Sequence, residues 1–317
     1  MIKTPFLSAC VITHNHAAYI KETIEGVLMQ KVDFPWELII ADDFSTDGTR
    51  EILLEYKKKY PQFIKLILQT NNAGVEKNFS DLINAVKSKY MAFLDGDDYW
   101  TDPLKLQIQV DEMEKHLECD MCCHTSFIKH LDGSRPDNIK FYHGDSIKIF
   151  YTKDIITTGG GFCHIDSLVC RRNMFNNIPK FFLERLCDYF LEILGSIRGG
   201  ILYIPRCMSV YRSFSIGSWS EKNKKNFEHY LWFYSKYNDI LNELDKYMNY
   251  KYSKEIERRI TMTNYLVWKR FKTLNKKETG NYESLKDLVN KLKINKILLI
   301  KALLANKIHL LFNFIKK

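Results

Sequence analysis

The sequence predicts an α/β fold in which a mostly parallel β-sheet is flanked by helices and followed by an α-helical C-terminal extension. In the first hundred residues, short apolar runs alternate with segments of helical spacing in the order β-α-β-α-β-α-β. Several of these runs end in clusters of polar side chains. After Glu221 the apolar residues recur at helical spacing. This order is typical of a sheet covered by helices on both faces.

Each element is assigned from its own pattern. The first apolar run stops at the polar residues Thr13, His14 and Asn15, as a buried strand feeding a loop does. The segment 45–48 provides a turn and an N-cap before a helix. In chain order we predict strand 7–12, helix 19–29, strand 37–41, helix 49–60, strand 64–68, helix 77–87 and strand 90–94.

Composition limits the classes of function. Of 317 residues, 45% are hydrophobic and 27% charged, which excludes a disordered chain and a disulfide-stapled miniprotein. The net charge of +9 favours acidic partners such as a nucleotide or an anionic membrane surface. No nucleic-acid-binding motif is present, so we expect no nucleic-acid partner. Neither a signal peptide nor an apolar run of about 20 residues is present, which predicts a cytoplasmic protein.

Polar side chains follow three of the predicted strands. They are Thr13 to Asn15 after the first strand, Asp42 and Asp43 after the second, and the segment 95–98 after the fourth. Ligands of parallel sheets bind beyond the carboxyl ends of the strands. The sequence therefore predicts a binding site at this edge of the sheet.

The last of these clusters, Asp95-Gly96-Asp97-Asp98, brings three carboxylates into four residues. Their mutual repulsion calls for a cation, and a hard divalent ion such as Mg²⁺ or Mn²⁺ prefers oxygen ligands. A solvated acidic turn or a helix cap is the alternative explanation.

Taken together, these segments resemble the motifs of the family 2 glycosyltransferases, which are inverting enzymes with the Rossmann-like GT-A fold. The resemblance covers about residues 6–220. The matching segments are, in order, VITHN at 11–15, LIIADDFSTDGT at 38–49, NAGVEKN at 72–78, FLDGDDYW at 93–100, CDY at 187–189 and YRSFSIGSWS at 211–220.

The resemblance implies a site for a nucleotide-sugar donor. Asp42 or Asp43 would read the base, with Asp42 preferred, and Asp95 would lie near the ribose and the metal. Asp97 would bind Mn²⁺ or Mg²⁺ directly, and Arg212 would clamp the diphosphate. The implied nucleotide-binding residues are Thr13, Asn15, Asp42, Asp43, Lys77, Asp95 and Arg212.

The resemblance also implies catalytic and acceptor residues. Asp188 would be the general base, although Glu184 or Glu192 could fill that role. Many relatives place a histidine shortly after the Tyr-Arg pair, where this chain has Phe214, so a third metal ligand is in doubt. Asp98, Trp100 and Trp219 are candidates for contacting sugars, and each tryptophan could equally be a core residue. A glycine-rich loop at 159–161 leads to His164, Asp166 and Ser167 beside the expected acceptor site.

The function implied is metal-dependent, inverting transfer of a sugar from a nucleotide-sugar, best a UDP-sugar, to a hydroxyl of a glycan or an undecaprenyl-diphosphate-linked acceptor. Bacterial surface polysaccharide assembly, of O-antigen or capsule, is the implied context. A nucleotidyltransferase is one alternative, but segment 13–16 is not its glycine-rich basic loop. A non-catalytic module that binds sugar nucleotides on a membrane scaffold is another.

We expect a catalytic domain over 1–220, with a nucleotide-sugar half of about 1–100 and an acceptor half of about 101–220. Residues 221–317 form the α-helical C-terminal region. Its last part, 288–317, contains lysines and apolar residues but no acidic residue. Such a helix can attach peripherally to the inner face of the cell membrane. Packing on the catalytic domain or on a second subunit of a homo-oligomer is an equal alternative.

Overall fold

The computed structural model of the protein describes residues 4–176, 178–183, 187–216, 218, 221 and 227–273. The chain divides into two compact units, Met1–Gly217 and Ser218–Lys317. Glu184, Trp219 and the basic segment 288–317 lie outside the described residues. Among the residues described, no helix combines the length and the apolar character that crossing a membrane requires.

The first unit contains the sheet and its flanking helices. The strands are β1 Leu7–Thr13, β2 Trp36–Asp42, β3 Ile64–Leu68, β4 Tyr90–Asp95, β5 Tyr99–Trp100, β6 Met121–His130, β7 Asn138–Lys140, β8 Lys148–Phe150, β9 Val169–Arg171 and β10 Ile201–Ser213. The helices are α1 Ile20–Leu28, α2 Thr49–Lys59, α3 Val75–Ala85, α4 Lys105–Lys115, α5 Thr152–Thr158, α6 Lys180–Leu183 and α7 Asp188–Ser196. Every element expected between residues 7 and 94 is present, with its ends within two residues of the prediction.

The described strands form one sheet in the order β3-β2-β1-β4-β9-β6-β10-β5, with β7 on β6 and β8 on β10. Strands β3, β2, β1 and β4 are parallel, as are β6 and β10. Strand β9 runs antiparallel to both neighbours and joins the two parallel groups. The α/β class with a central, mostly parallel sheet and flanking helices is confirmed, and the antiparallel strands belong to the part after residue 95.

The register of the parallel strands brings the polar strand ends together. Thr13 pairs with Asp42, and Ile12 pairs with Asp95. The strands themselves are almost wholly buried, and clusters of polar residues begin where each strand leaves the core. Apolar side chains of β1, β2 and β4 form one buried cluster with side chains of α1, α2 and α4, and the largest buried side chain of this cluster is Trp100. The polar ends therefore lie side by side at one edge, as the sequence predicted.

The second unit contains α8, Phe227–Tyr247, and α9, Ser253–Thr273. These helices pack as an antiparallel pair, with Asn238 Nδ2 donating to Asn264 Oδ1 at 2.7 Å in the buried contact. The apolar stripes expected after residue 221 are largely the buried side chains of the pair, namely Phe227, Leu231, Leu241, Leu244, Met248, Ile256 and Val267. The described part of the extension is thus α-helical.

Gly96 packs closely against its neighbours at the polar edge, so a substitution at this position tests the structure there. A Cβ at Gly96 would lie 2.5 Å from Thr13 Oγ1 and 2.7 Å from His16 Nδ1. Because Thr13 is buried, we expect Gly96→Ala to lower the free energy of unfolding by about 1–3 kcal/mol in chemical denaturation. Gly161→Ala is the control, since a Cβ there meets nothing within 4 Å. Equal stabilities of the two variants would contradict the close packing of this turn.

Candidate active site

An acidic turn, residues 95–98, forms the centre of the polar edge. Gly96 N donates to Ile12 O at 2.8 Å, which attaches the turn to β1. Thr23 Oγ1, on α1, lies 2.9 Å from Gly96 O and 2.7 Å from Asp98 O, within donating distance of both. Carboxylate oxygens of Asp95, Asp97 and Asp98 lie within 4.8 Å of one another. The backbone therefore holds these like charges together despite their repulsion.

The carboxylates of the turn have different surroundings. Asp98 is 1% exposed, and its Oδ1 accepts a hydrogen bond from Arg212 N at 2.7 Å. Asp97 Oδ2 accepts from the Ser215 hydroxyl. Asp95 Oδ1 is buried and has no hydrogen-bond partner among the described residues. Asp98 Oδ1 is therefore engaged by β10, while Asp98 Oδ2 accepts no hydrogen bond from the described residues and faces His164 Nδ1 at 3.7 Å. Asp95 and Asp97 also keep oxygen atoms for another ligand.

Electrostatics supports a cation at this pair. Burial raises the pKa of Asp95 well above its usual range, and the charges of Asp97 and Asp188 raise it further. A hard divalent cation would relieve that repulsion and supply the missing partner of Asp95 Oδ1. Asp95 and Asp97 thus fit the Mg²⁺ or Mn²⁺ expected from the sequence.

Arg212 holds the acidic turn in this structure. Its guanidinium donates to Asp97 O at 2.5 Å and to the Glu22 carboxylate on α1. The same group lies 4.3 Å from the ring centroid of Tyr99 and 5.2 Å from that of Tyr19. Arg212 is 5% exposed, so clamping a diphosphate would require it to exchange Glu22 for phosphate oxygens.

The two aspartates expected at the base are both engaged by the protein. Asp42 is fully buried and accepts from Arg50 Nε at 2.5 Å and from the Ser45 backbone and hydroxyl. Asp43 accepts from Ala73 N at 2.7 Å and Gly74 N at 3.0 Å. These carboxylates shape the loops after β2 and β3. A base contact through Asp42 would compete with its ion pair to Arg50.

Thr13 and Asn15 belong to the same loop network. Thr13 Oγ1 lies 3.2 Å from His16 Nδ1, and Asn15 Oδ1 accepts from Thr46 N at 2.8 Å. Lys77, on α3, pairs with Asp81 one turn further along the helix and is 58% exposed. The contacts of Lys77 in the described structure therefore lie within its own helix.

Asp188 begins α7 and is partly exposed. Burial raises its pKa, the neighbouring His164 lowers it, and Asp166 raises it again. Glu192, one turn later, is 1% exposed, and its Oε1 accepts from Cys163 N at 3.4 Å. Of these two carboxylates, only Asp188 combines accessibility with electrostatic contact to the acidic turn.

The sequence places His164 beside the expected acceptor site without a specific role, and in the structure it lies between two buried carboxylates. Its Nδ1 is 3.3 Å from Asp166 Oδ1 and 3.7 Å from Asp98 Oδ2. Burial lowers the pKa of His164, but Asp166 and Asp98 outweigh it and leave the pKa well above the usual value. The only local signal was a His and an Asp two residues apart after a glycine-rich loop. Their meeting with Asp98 depends on the fold.

Trp100, which follows the acidic turn, is a core residue. It is 1% exposed, its indole Nε1 donates to Asp166 O at 2.9 Å, and Lys105 Nζ lies 4.2 Å from the ring. The expectation that Trp100 stacks on a sugar is not supported by this placement, which fits the core-tryptophan alternative. The companion candidate, Trp219, lies outside the described residues.

Comparison with known proteins identifies relatives of this chain. Residues 8–178 match the family described as "Glycosyl transferase family 2". An uncharacterized protein of Mycobacterium tuberculosis is 35% identical over 217 residues, which are 67% of this chain and 60% of that protein. TuaG of Bacillus subtilis, named provisionally as a teichuronic acid biosynthesis glycosyltransferase, is 35% identical over 145 residues, 44% of this chain and 53% of that protein. The chain thus spans little more than half the length of these relatives.

Among solved structures, S. aureus TarS residues 1–349 in complex with UDP-GlcNAc is similar to this chain, with a TM-score of 0.59. The two share 18% sequence identity, and the match covers 81% of this chain and 71% of that one. At this identity the similarity concerns the fold, which agrees with the expected GT-A architecture.

The carboxylate pair makes a prediction about metal binding alone. Mn²⁺ at about 100 times its Kd should stabilise the protein by about 2.7 kcal/mol, and Asp97→Asn should weaken Mn²⁺ binding by about tenfold or more. Thermal unfolding measures the stabilisation, and electron paramagnetic resonance of free Mn²⁺ measures the affinity. Asp111→Asn, on the exposed side of α4, is the control. Unchanged Mn²⁺ affinity in Asp97→Asn would remove Asp97 from the metal site.

Proposed function

The chain belongs to the family 2 glycosyltransferases, and we propose that it transfers a sugar from a UDP-sugar to a hydroxyl group of a glycan or lipid-linked acceptor, with inversion at the anomeric carbon. The observation that carries the proposal is the acidic turn at the polar edge, with the carboxylates of Asp95 and Asp97 next to each other and Asp95 in electrostatic contact with Asp188. Such a site has separate groups for the leaving diphosphate and for the attacking hydroxyl.

In the proposed reaction, Asp188 accepts the proton of the acceptor hydroxyl while the oxygen attacks the anomeric carbon. The bond from that carbon to the diphosphate oxygen breaks with its electron pair, and the nucleoside diphosphate leaves from the opposite face. Burial favours this role, because it raises the pKa of Asp188 and makes the carboxylate a stronger base than an exposed aspartate.

Asp95 and Asp97 would hold a divalent metal, which when bound would neutralise negative charge on the diphosphate. Ser215 and Arg212 orient the turn from the β10 side, through Asp97 Oδ2 and Asp97 O. The loops organised by Asp42, Asp43 and Asn15 would surround the base. These residues therefore act mainly by fixing the backbone to which the nucleotide binds.

The choice of donor and acceptor draws on the relatives. The similar TarS structure contains UDP-GlcNAc, which favours a UDP-sugar as the donor here. One relative is named for teichuronic acid biosynthesis and another as a poly(ribitol-phosphate) beta-glucosyltransferase, and these names favour an acceptor in a cell-surface polymer. Peripheral attachment to the inner membrane face would bring the chain to an undecaprenyl-diphosphate-linked acceptor, and this part of the proposal rests on the sequence of 288–317 alone.

A donor screen tests the function directly. Release of nucleoside diphosphate from a set of UDP-, GDP- and dTDP-sugars should occur for one donor class and should increase with acceptor and with Mn²⁺. EDTA should stop it, and Mn²⁺ added in excess should restore it. Release of diphosphate by no donor, with the folded protein and with mixed cell-surface glycans present, would contradict the proposal.

Asp188→Asn keeps the shape of the side chain and removes its basicity. We expect turnover to fall by about 10²-fold or more while the donor still binds. In the native protein, transfer should be lost as the pH falls through the raised pKa of Asp188, because only the carboxylate accepts a proton. Rates measured from acid to neutral pH should therefore show a limb above the usual aspartate pKa of about 3.9.

Glu192→Gln is the matched comparison for Asp188→Asn, since it removes the other described carboxylate of α7. It should retain the pH limb and most of the turnover. Full activity of Asp188→Asn together with loss of activity in Glu192→Gln would transfer the role of base to Glu192.

A further inference from the structure

The imidazole of His164 is enclosed on all but one edge. Tyr211 stacks on the ring with centroids 3.9 Å apart, and Phe141 lies 6.3 Å away. The Nδ1 edge faces the carboxylates of Asp166 and Asp98 at 3.3 and 3.7 Å. Even so, 12% of the side chain is exposed.

The exposed edge carries Nε2. This atom makes no hydrogen bond to any described residue, and it is not among the buried polar atoms without a partner. It is therefore accessible from outside. With Nδ1 held by Asp166, which in turn accepts from Ser126 Oγ at 3.0 Å, the direction of Nε2 is fixed.

We infer that His164 is a substrate-binding residue whose Nε2 forms a hydrogen bond with a hydroxyl group of a bound sugar. The inference rests on the proposed function. His164 Nδ1 lies 3.7 Å from Asp98 Oδ2, which adjoins the metal pair, and the imidazole also interacts electrostatically with Asp188, the base. In a displacement at an anomeric carbon, the transferred sugar and the attacking end of the acceptor lie between the metal and the base.

The imidazole of His164 has a fixed orientation and one accessible nitrogen, and such a group can select between sugars that differ at one hydroxyl. A site that hydrogen-bonds a particular hydroxyl rejects the analogue that lacks it, because the buried polar group is then left without a partner. The dense support of His164 by Asp166, Ser126 and Tyr211 means that the imidazole keeps its orientation while substrates exchange.

Two substitutions separate the role of Nε2 from that of Nδ1. Gln places an amide nitrogen near the position of Nε2, whereas Asn reaches only as far as Nδ1. We expect His164→Asn to lower kcat/KM by about tenfold or more and His164→Gln to recover part of that loss. His116→Asn is the control and should leave kcat/KM unchanged. His116 caps the C-terminal end of α4 and pairs with Glu118.

Binding measurements identify the sugar. If Nε2 contacts the donor, His164→Asn weakens calorimetric binding of the UDP-sugar but not of UDP, and deoxy analogues of the donor locate the hydroxyl. If it contacts the acceptor, both nucleotides bind normally, and the KM for the acceptor rises. Either result supports the inference.

Two results would overturn it. One is a His164→Asn variant that matches the native protein in both binding and kinetics. The other is an equal loss of UDP binding and thermal stability in the Asn and Gln variants, which would make His164 a packing residue. Absence of transfer by the native protein would instead overturn the proposed function, and the comparison of UDP-sugar with UDP binding would still test His164.

Discussion

Repulsion among buried carboxylates is the constraint around which the first unit is arranged. Asp95, Asp97 and Asp98 are fixed in one turn, and Asp166 and Asp188 interact with them from other elements. Burying like charges is costly unless cations or donors face them. The fold supplies some of these in the chain itself, through Arg212 N and the imidazole of His164 for Asp98. The remaining deficit, at Asp95 and Asp97, is where a metal ion fits.

This division gives the carboxylates different tasks. Asp98 and Asp166 are buried, and one oxygen of each is engaged by the protein, so they act as structural anchors for Arg212 and His164. Asp188 is compensated only in part, which leaves its pKa raised and its carboxylate basic. The proposed chemistry therefore uses Asp95 and Asp97 for the metal and Asp188 for the proton of the acceptor hydroxyl.

Local patterns were enough to predict the parallel half of the sheet. Strands β1, β2 and β4 are mostly apolar runs that end in polar residues, and each signal lies within about ten residues of the chain. The acidic turn was predicted for the same reason. Parallel register then follows from burial, since a shift of β4 against β1 would place Asp95 in the core rather than beside Ile12.

What could not be predicted depends on contacts between distant parts of the chain. The Arg212–Glu22 pair joins residues 190 positions apart, and no local pattern marks Glu22 as a partner. Likewise, the local sequence around Trp100 does not distinguish a ring that stacks on a sugar from a ring that is buried in the core. Its burial is decided by Asp166 O, which accepts from the indole, and by Lys105, which covers the ring.

The end of β10 and the acidic turn are linked by hydrogen bonds, so a movement of one displaces the other. Arg212 uses its backbone nitrogen on Asp98 and its guanidinium on Asp97 O, and the Ser215 hydroxyl binds Asp97 Oδ2. A displacement of this strand end would therefore change the positions of the oxygens that fit a metal. Because Glu22, the counter-ion of Arg212, is 56% exposed, that ion pair is also the contact of the network most open to replacement by phosphate oxygens. Nucleotide binding at Arg212 and metal binding at Asp97 are for this reason expected to be coupled through the backbone of the turn rather than independent.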